Sequence, residues 1–350
     1  MKSQGRAIKG LCAVIGVGII ALGAAPVYGQ DARTQAPDDH PAIRFLSRAE
    51  AASALTTGAE KSYYAGLQLA EMRAKTGLPL VGITLEAARE QVRASYAAST
   101  EDFSAEEQQA LGNTVRGALA AVRTSAPLYS RTPWSFIKVE GRIEGGLPHT
   151  RGDSIVLADA FLASMSRRYG ADWASAPADL RALLIHEQTH ILQRRHPELF
   201  VPLYTDAFGF RRVNVRMPPW LLELAVTNPD GPAVDWAFPI GAGSARRWLL
   251  PEIVLTRADR PRMPDDFATV AVEIHEQPGG AWSLPGSAKE LSPLSVSQDY
   301  QRAFPDHSED FHPNEISAGM LSALLLGLPL RNPSHELWDK TRTWVAKSLR

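Results

Sequence analysis

The chain has 350 residues, 45% hydrophobic and 21% charged, a globular composition that excludes a disordered chain or a multispan membrane protein. Its 37 basic and 38 acidic residues leave a formal net charge of −1, so it lacks the basic field that nucleic-acid binding needs. A single cysteine excludes an internal disulfide and any all-cysteine zinc site.

Residues 1–29 read as a secretory signal peptide. Lys2, Arg6 and Lys9 are the only charges before Asp31, and an apolar run of fifteen residues, 11–25, follows them. Val27 and Gly29 then occupy the −3 and −1 positions of a cleavage site. The alternative is an uncleaved anchor, but the run is short against the roughly twenty residues that span a bilayer. Cys12 lies inside the run rather than at its end, which argues against lipidation. Cleavage after Gly29 removes three basic residues and takes the net charge from −1 to −4. The expectation is an exported chain, in the periplasm or the medium, with no membrane span once the signal is removed.

Residues 30–46 form a loose tail, polar and Pro-bearing over 30–42. A helical region, 47–130, follows. It contains one or two helices over 47–76, broken near Thr56-Thr57-Gly58, and further helices over 84–97 and 104–126. Ser104 with Glu107 is a capping box. Leu111, Val115, Leu119 and Val122 repeat at helical spacing and give the last helix one buried face. The texture changes at Pro133. Trp134–Glu140 and Ser154–Leu157 read as strands joined by a Gly/Pro-rich connection, and 177–194 as the next strong helix. From 197 to 310 the chain is irregular with scattered short strands, and helix returns over 313–326 and 334–348. This order predicts an α+β fold, mostly helical with a small mixed sheet.

The helix over 177–194 carries His186-Glu187-Gln188-Thr189-His190, an HExxH. Four residues advance a helix by about 400°, so both imidazoles stand on one face, one turn apart. There they can share one zinc ion, and Glu187, offset by one residue, lies beside the metal as a general base. A catalytic zinc needs a third protein ligand and an open position for water. Two residues compete for the third place. His196 stands at the last position of the metzincin pattern HExxHxxGxxH, but Gln193 replaces the glycine at which that helix must turn. Glu315, in His312-Pro313-Asn314-Glu315, falls in the first turn of a helix with an apolar stripe of Ile316, Met320, Leu321, Leu324 and Leu325. Helix logic alone leaves the two open.

HExxH followed far downstream by Asn314-Glu315-Ile316-Ser317-Ala318, an NExxA, resembles a gluzincin-type zinc metallopeptidase. Residues 186–210 and Thr227-Asn-Pro-Asp-Gly231 are also similar to a group of bacterial zincins. The resemblance spans roughly residues 130–327. It implies a zincin-like catalytic domain over 131–350 and one zinc on His186, His190 and Glu315, with His196 left out. It further implies hydrolysis of a peptide or protein substrate with Glu187 as base. The chain departs from the ExxxD members at Gly319, where they carry an acid. A supporting partner for the histidines is still expected, with Asp206, Asp299 or a backbone carbonyl as candidates. His149, Tyr300 and His307 are candidate donors to a tetrahedral oxyanion. An edge strand within 143–157 is the candidate for pairing with extended peptide. The reading from another class is a zincin-like protein that binds a metal or a partner without peptidase activity.

Overall fold

The computed structural model describes residues 41–350 apart from 171–172, 174–177, 232–235, 244–245, 308–309 and 331. The expected signal peptide and most of the expected tail lie outside the described residues. The end of that tail is ordered. Ile43–Phe45 form β1, and Phe45 packs on the rings of Phe103 and Phe136, which gives an otherwise polar segment its anchor.

The helical region continues as α1 (Arg48–Thr56), α2 (Glu60–Gly66), α3 (Leu69–Thr76), α4 (Leu85–Ala98) and α5 (Ala105–Val122), with the short β2 (Thr100–Glu101) before α5. The stretch 47–76 thus makes three helices rather than one or two. The Ser104–Glu107 capping box forms as expected, and Leu111, Val115, Leu119 and Val122 are all buried. After α6 (Leu128–Arg131) come β3 (Trp134–Val139), β4 (His149–Arg151), β5 (Ser154–Ala158) and α7 (Asp159–Tyr169). The sheet order is β1-β3-β5-β4, with β2 also on β3. β1, β3 and β5 run parallel, and β4 returns antiparallel as an edge strand.

α8 (Ala178–Arg195) crosses the molecule beside this sheet. Leu180, Leu184, Ile185, Ile191 and Leu192 bury it. Polar ties fix its register: Gln188 Nε2 donates to Pro133 O at 3.0 Å, and the hydroxyls of Thr189 and Tyr129 meet at 2.6 Å. At its C-terminal end Arg194 donates to Gly152 O and Arg195 pairs with Asp153 in the β4–β5 turn.

Beyond α9 (Pro197–Pro202), β6 (Arg211–Arg212) and α10 (Pro219–Leu224) the structure corrects the expectation of scattered short strands. β7 (Trp236–Ile240), β8 (Arg247–Leu255) and β9 (Phe267–Glu276), with the short β10 (Trp282–Ser283) and β11 (Ser292–Pro293), build a second, antiparallel sheet. β8 hides from pattern reading because both its faces are covered. Leu249, Ile253 and Leu255 join the main core, while Leu250 and Val254 join a smaller cluster with Leu221 and Val272. α11 (Gln298–Ala303), α12 (Pro313–Leu325) and α13 (Glu336–Ser348) close the chain. The fold is α+β, with more sheet than expected. Among the described residues no helix is long and apolar enough to cross a membrane.

Candidate metal centre

α8 and α12 pack against each other and bring their polar faces together. His186 Nε2 and His190 Nε2 lie 3.0 Å apart, and Glu315 Oε2 lies 3.2 Å from the first and 3.5 Å from the second. The edges of a tetrahedral zinc site with bonds of about 2.0–2.1 Å are about 3.3 Å long, so the three donor atoms fit that ion. Two imidazole nitrogens facing each other and a carboxylate need a shared cation or a proton to be tolerated. Burial lowers the basicity of His190, but Glu315 and then Asp230 outweigh it and raise its pKa to about 10. Burial pushes the carboxyl of Glu315 up, and His190 outweighs it and holds the group well below the usual range.

The outer atoms of these ligands are also held. Gln193 Oε1 lies 2.9 Å from His190 Nδ1, and Gln193 Nε2 donates to Asn314 O and Ser317 Oγ, both at 2.9 Å. The amide is therefore oriented with its oxygen toward the ring, which places the His190 proton on Nδ1 and frees Nε2 for a metal. Asn228 Nδ2 donates to Glu315 Oε1 at 2.6 Å, leaving Oε2 toward the histidines. The expected supports stand elsewhere: Asp206 accepts from Thr205, and Asp299 accepts from Gly241 N. Gly319 has a steric reason, since a Cβ there would lie 2.7 Å from the ring of His307.

Glu187 is buried, and its Oε2 has no hydrogen-bond partner. Burial and then the neighbouring Asp230 push its pKa well above the usual carboxylate value. Single ligand atoms of Glu187, His190 and Asp230 all lie within 4.8 Å of one another, so Asp230 is a further carboxylate at the centre. It lies in the Thr227–Gly231 stretch that the resemblance includes, but no residue pattern there marks it as a site carboxylate.

His149 is the one proposed donor that lines the cavity with His186 and Glu187. Its Nδ1 lies 2.9 Å from Leu147 O and its Nε2 is buried without a partner. Burial lowers its pKa, so at neutral pH the ring is uncharged with a lone pair on Nε2, an acceptor rather than a donor. Tyr300 and His307 stand apart from the cavity. Tyr300 is buried among Phe210, Phe238 and Phe304 and donates to Asp310 O at 2.6 Å. His307 Nδ1 lies 2.8 Å from Asp310 Oδ2. His196 starts α9 and pairs with Glu198, because α8 runs straight through Gln193 without a glycine turn. Among the described residues no metal-competent group includes His196.

The cavity holds about 110 Å³. Leu147, Leu183, Ile253, Met263, Phe267 and Phe311 give it apolar walls, with the second sheet supplying one side. Lys75 and Glu144 also line it, although both are buried and neither is marked out by sequence pattern. Lys75 Nζ donates to Tyr63 Oη at 2.7 Å, Glu144 Oε2 at 2.9 Å and Thr227 O at 2.7 Å. Tyr63 and Tyr96 both donate to Glu144 Oε1. β4 is the edge strand beside α8, as the peptide-pairing expectation needs, but its Thr150 N–H already donates to Asp230 Oδ1 at 2.6 Å.

Comparison with known proteins finds no match to this chain: no family model, no curated sequence and no solved structure is significantly similar.

Proposed function

We propose that this chain is an exported zinc-dependent hydrolase that cleaves peptide bonds, with a zincin-like catalytic unit around α8 and α12. The observation that carries the reading is the convergence of His186, His190 and Glu315 with donor atoms 3.0–3.5 Å apart. Bound there, zinc supplies Lewis acidity toward a carbonyl oxygen and toward water. Glu187 is the general base: its unpartnered, proton-seeking Oε2 takes a proton from the attacking water and delivers it to the leaving amine. Gln193 and Asn228 keep the ligands aimed inward. The apolar walls and the size of the cavity favour a peptide with one medium-sized aliphatic side chain beside the scissile bond.

Metal analysis and peptide cleavage by the purified chain test this. About one zinc per chain, with hydrolysis favouring Leu, Ile, Val or Met over charged residues at one subsite, supports it. Absence of zinc after metal is supplied rules the metallohydrolase out.

Asp230 favours a second reading, a metal-binding protein without peptidase activity. With Glu187 and His190, Asp230 forms a second group whose single donor atoms lie within 4.8 Å of one another, and a metal held there would take Glu187 as a ligand and leave no base. Tighter zinc binding by the wild type than by Asp230→Asn, with no turnover in either, would favour that alternative.

A further inference from the structure

We propose that Glu71 and Lys75, in the helical region before the zincin-like part, are positioning residues of the metal centre. They clasp the backbone N–H and C=O of one residue, Thr227, and so hold Asn228 against Glu315. The inference rests on the zinc reading above.

The two side chains stand one turn apart on α3 and are both fully buried. Glu71 Oε1 accepts from Thr227 N at 2.6 Å, and Lys75 Nζ donates to Thr227 O at 2.7 Å. Both backbone polar groups of Thr227 are thus held by a single helix face. Lys75 spends its other two donors on Tyr63 and Glu144, so none is left for a substrate although the residue lines the cavity. A buried lysine among acids is an expensive way to hold a fold together, since apolar residues of similar volume often do as well. Apolar contact has no direction, however, and cannot set the planes of the two peptide units that flank Thr227. The hydrogen bonds from Glu71 and Lys75 can.

The course of the chain beyond Thr227 depends on those planes. Asn228 donates to Glu315 Oε1 at 2.6 Å and accepts from Asp230 N at 3.0 Å. Asp230 in turn accepts from Thr150 N, and its carbonyl accepts from Arg194. The segment is therefore anchored downstream by β4 and α8 and upstream by Glu71 and Lys75. Asn228, between the anchors, occupies one oxygen of the metal-ligating carboxylate. Outer partners of this kind typically change metal affinity by about 10–100-fold.

The test is zinc affinity of the whole purified chain, read by competition with a chromophoric chelator. Asn228→Ala and Lys75→Met should each weaken zinc by about 10–100-fold. Because both act through one hydrogen bond, the double variant should be no weaker than Asn228→Ala within about threefold. Glu71→Gln keeps an oxygen for the Thr227 N–H, gives up only the charge and the longer 3.4 Å contact from Gln68 N, and should stay within about threefold of the wild type. A folded Lys75→Met chain with wild-type zinc affinity overturns the inference and leaves the zinc reading standing. Multiplying losses in the double variant also overturn it, because Lys75 would then act by general support of the fold. Should Lys75→Met fail to fold, Glu71→Ala, which leaves the Lys75–Glu144 pair intact, is judged by the same criteria. A wild-type chain that binds no zinc removes the zinc reading and this inference together.

Discussion

Gln193 Oε1 meets His190 Nδ1 at 2.9 Å, one turn further along α8. The residue that breaks the metzincin pattern is thus the one that orients a candidate ligand. Its own amide protons are committed to α12, so the two helices set the tautomer jointly. Gln193→Ala should weaken zinc binding by about 10–100-fold while leaving the helix intact. Chelator competition and far-UV circular dichroism, run on the same sample, separate the two effects.

Glu187 is not one of the three proposed ligands. Glu187→Gln should therefore keep one zinc per chain and lower turnover by at least about 10²–10⁴-fold. Parallel metal analysis and peptide cleavage check this. Loss of zinc from the variant would show that Glu187 is a ligand instead of a base.

Glu315 and His196 give opposite expectations. Glu315→Ala removes a donor atom within 3.5 Å of both histidine nitrogens and should abolish stoichiometric zinc. His196→Ala removes a half-buried side chain paired with Glu198 and should leave zinc content unchanged. Elemental analysis of the two variants decides between a His₂Glu and a His₃ centre.

Glu144 makes stability depend on acid. Burial would raise its carboxyl, but Lys75 first, then His149 and the hydroxyls of Tyr63 and Tyr96, hold it at about 2 against the usual 4.5. A depressed carboxyl stabilises the fold above its unfolded value and loses that contribution as the pH falls. The stability advantage of wild type over Glu144→Gln should therefore shrink by about 3 kcal/mol between pH 4.5 and about 2. Urea unfolding of both chains across that range measures it, and a constant difference would contradict the assigned pairing.

Tyr300 is held by an aromatic cluster and one hydrogen bond to Asp310 O, away from the cavity. Tyr300→Phe should cost about 1 kcal/mol of stability and leave kcat and KM for peptide cleavage within about twofold. A selective fall in kcat would place its hydroxyl at the reaction after all.

Much of the α-helical frame is legible in the residues, because caps and 3.6-residue periodicity are local. Ser104 with Glu107, the stripe on α5 and the buried stripe of α12 all stand where the pattern puts them. The same locality places His186 and His190 on one face of α8. β8 and β1 are less legible. β8 is covered on both faces and so shows no alternation, and the three residues of β1 are a strand through parallel pairing with the distant β3, where Phe45 packs on Phe103 and Phe136.

The sequence by itself determined the HExxH geometry, since four residues on one helix are a fixed rotation apart. It also narrowed the third ligand to two residues, one disfavoured by the missing glycine turn. The resemblance favoured Glu315, but only the tertiary structure brings its carboxylate to those imidazoles and shows what holds it there. Glu315, Asn228, Gln193 and the Glu71–Lys75 clasp come from four separate segments. Their hydrogen bonds join residues up to 156 positions apart, and no local pattern encodes a contact made only when α3, α8, α12 and the Thr227–Asp230 segment pack together.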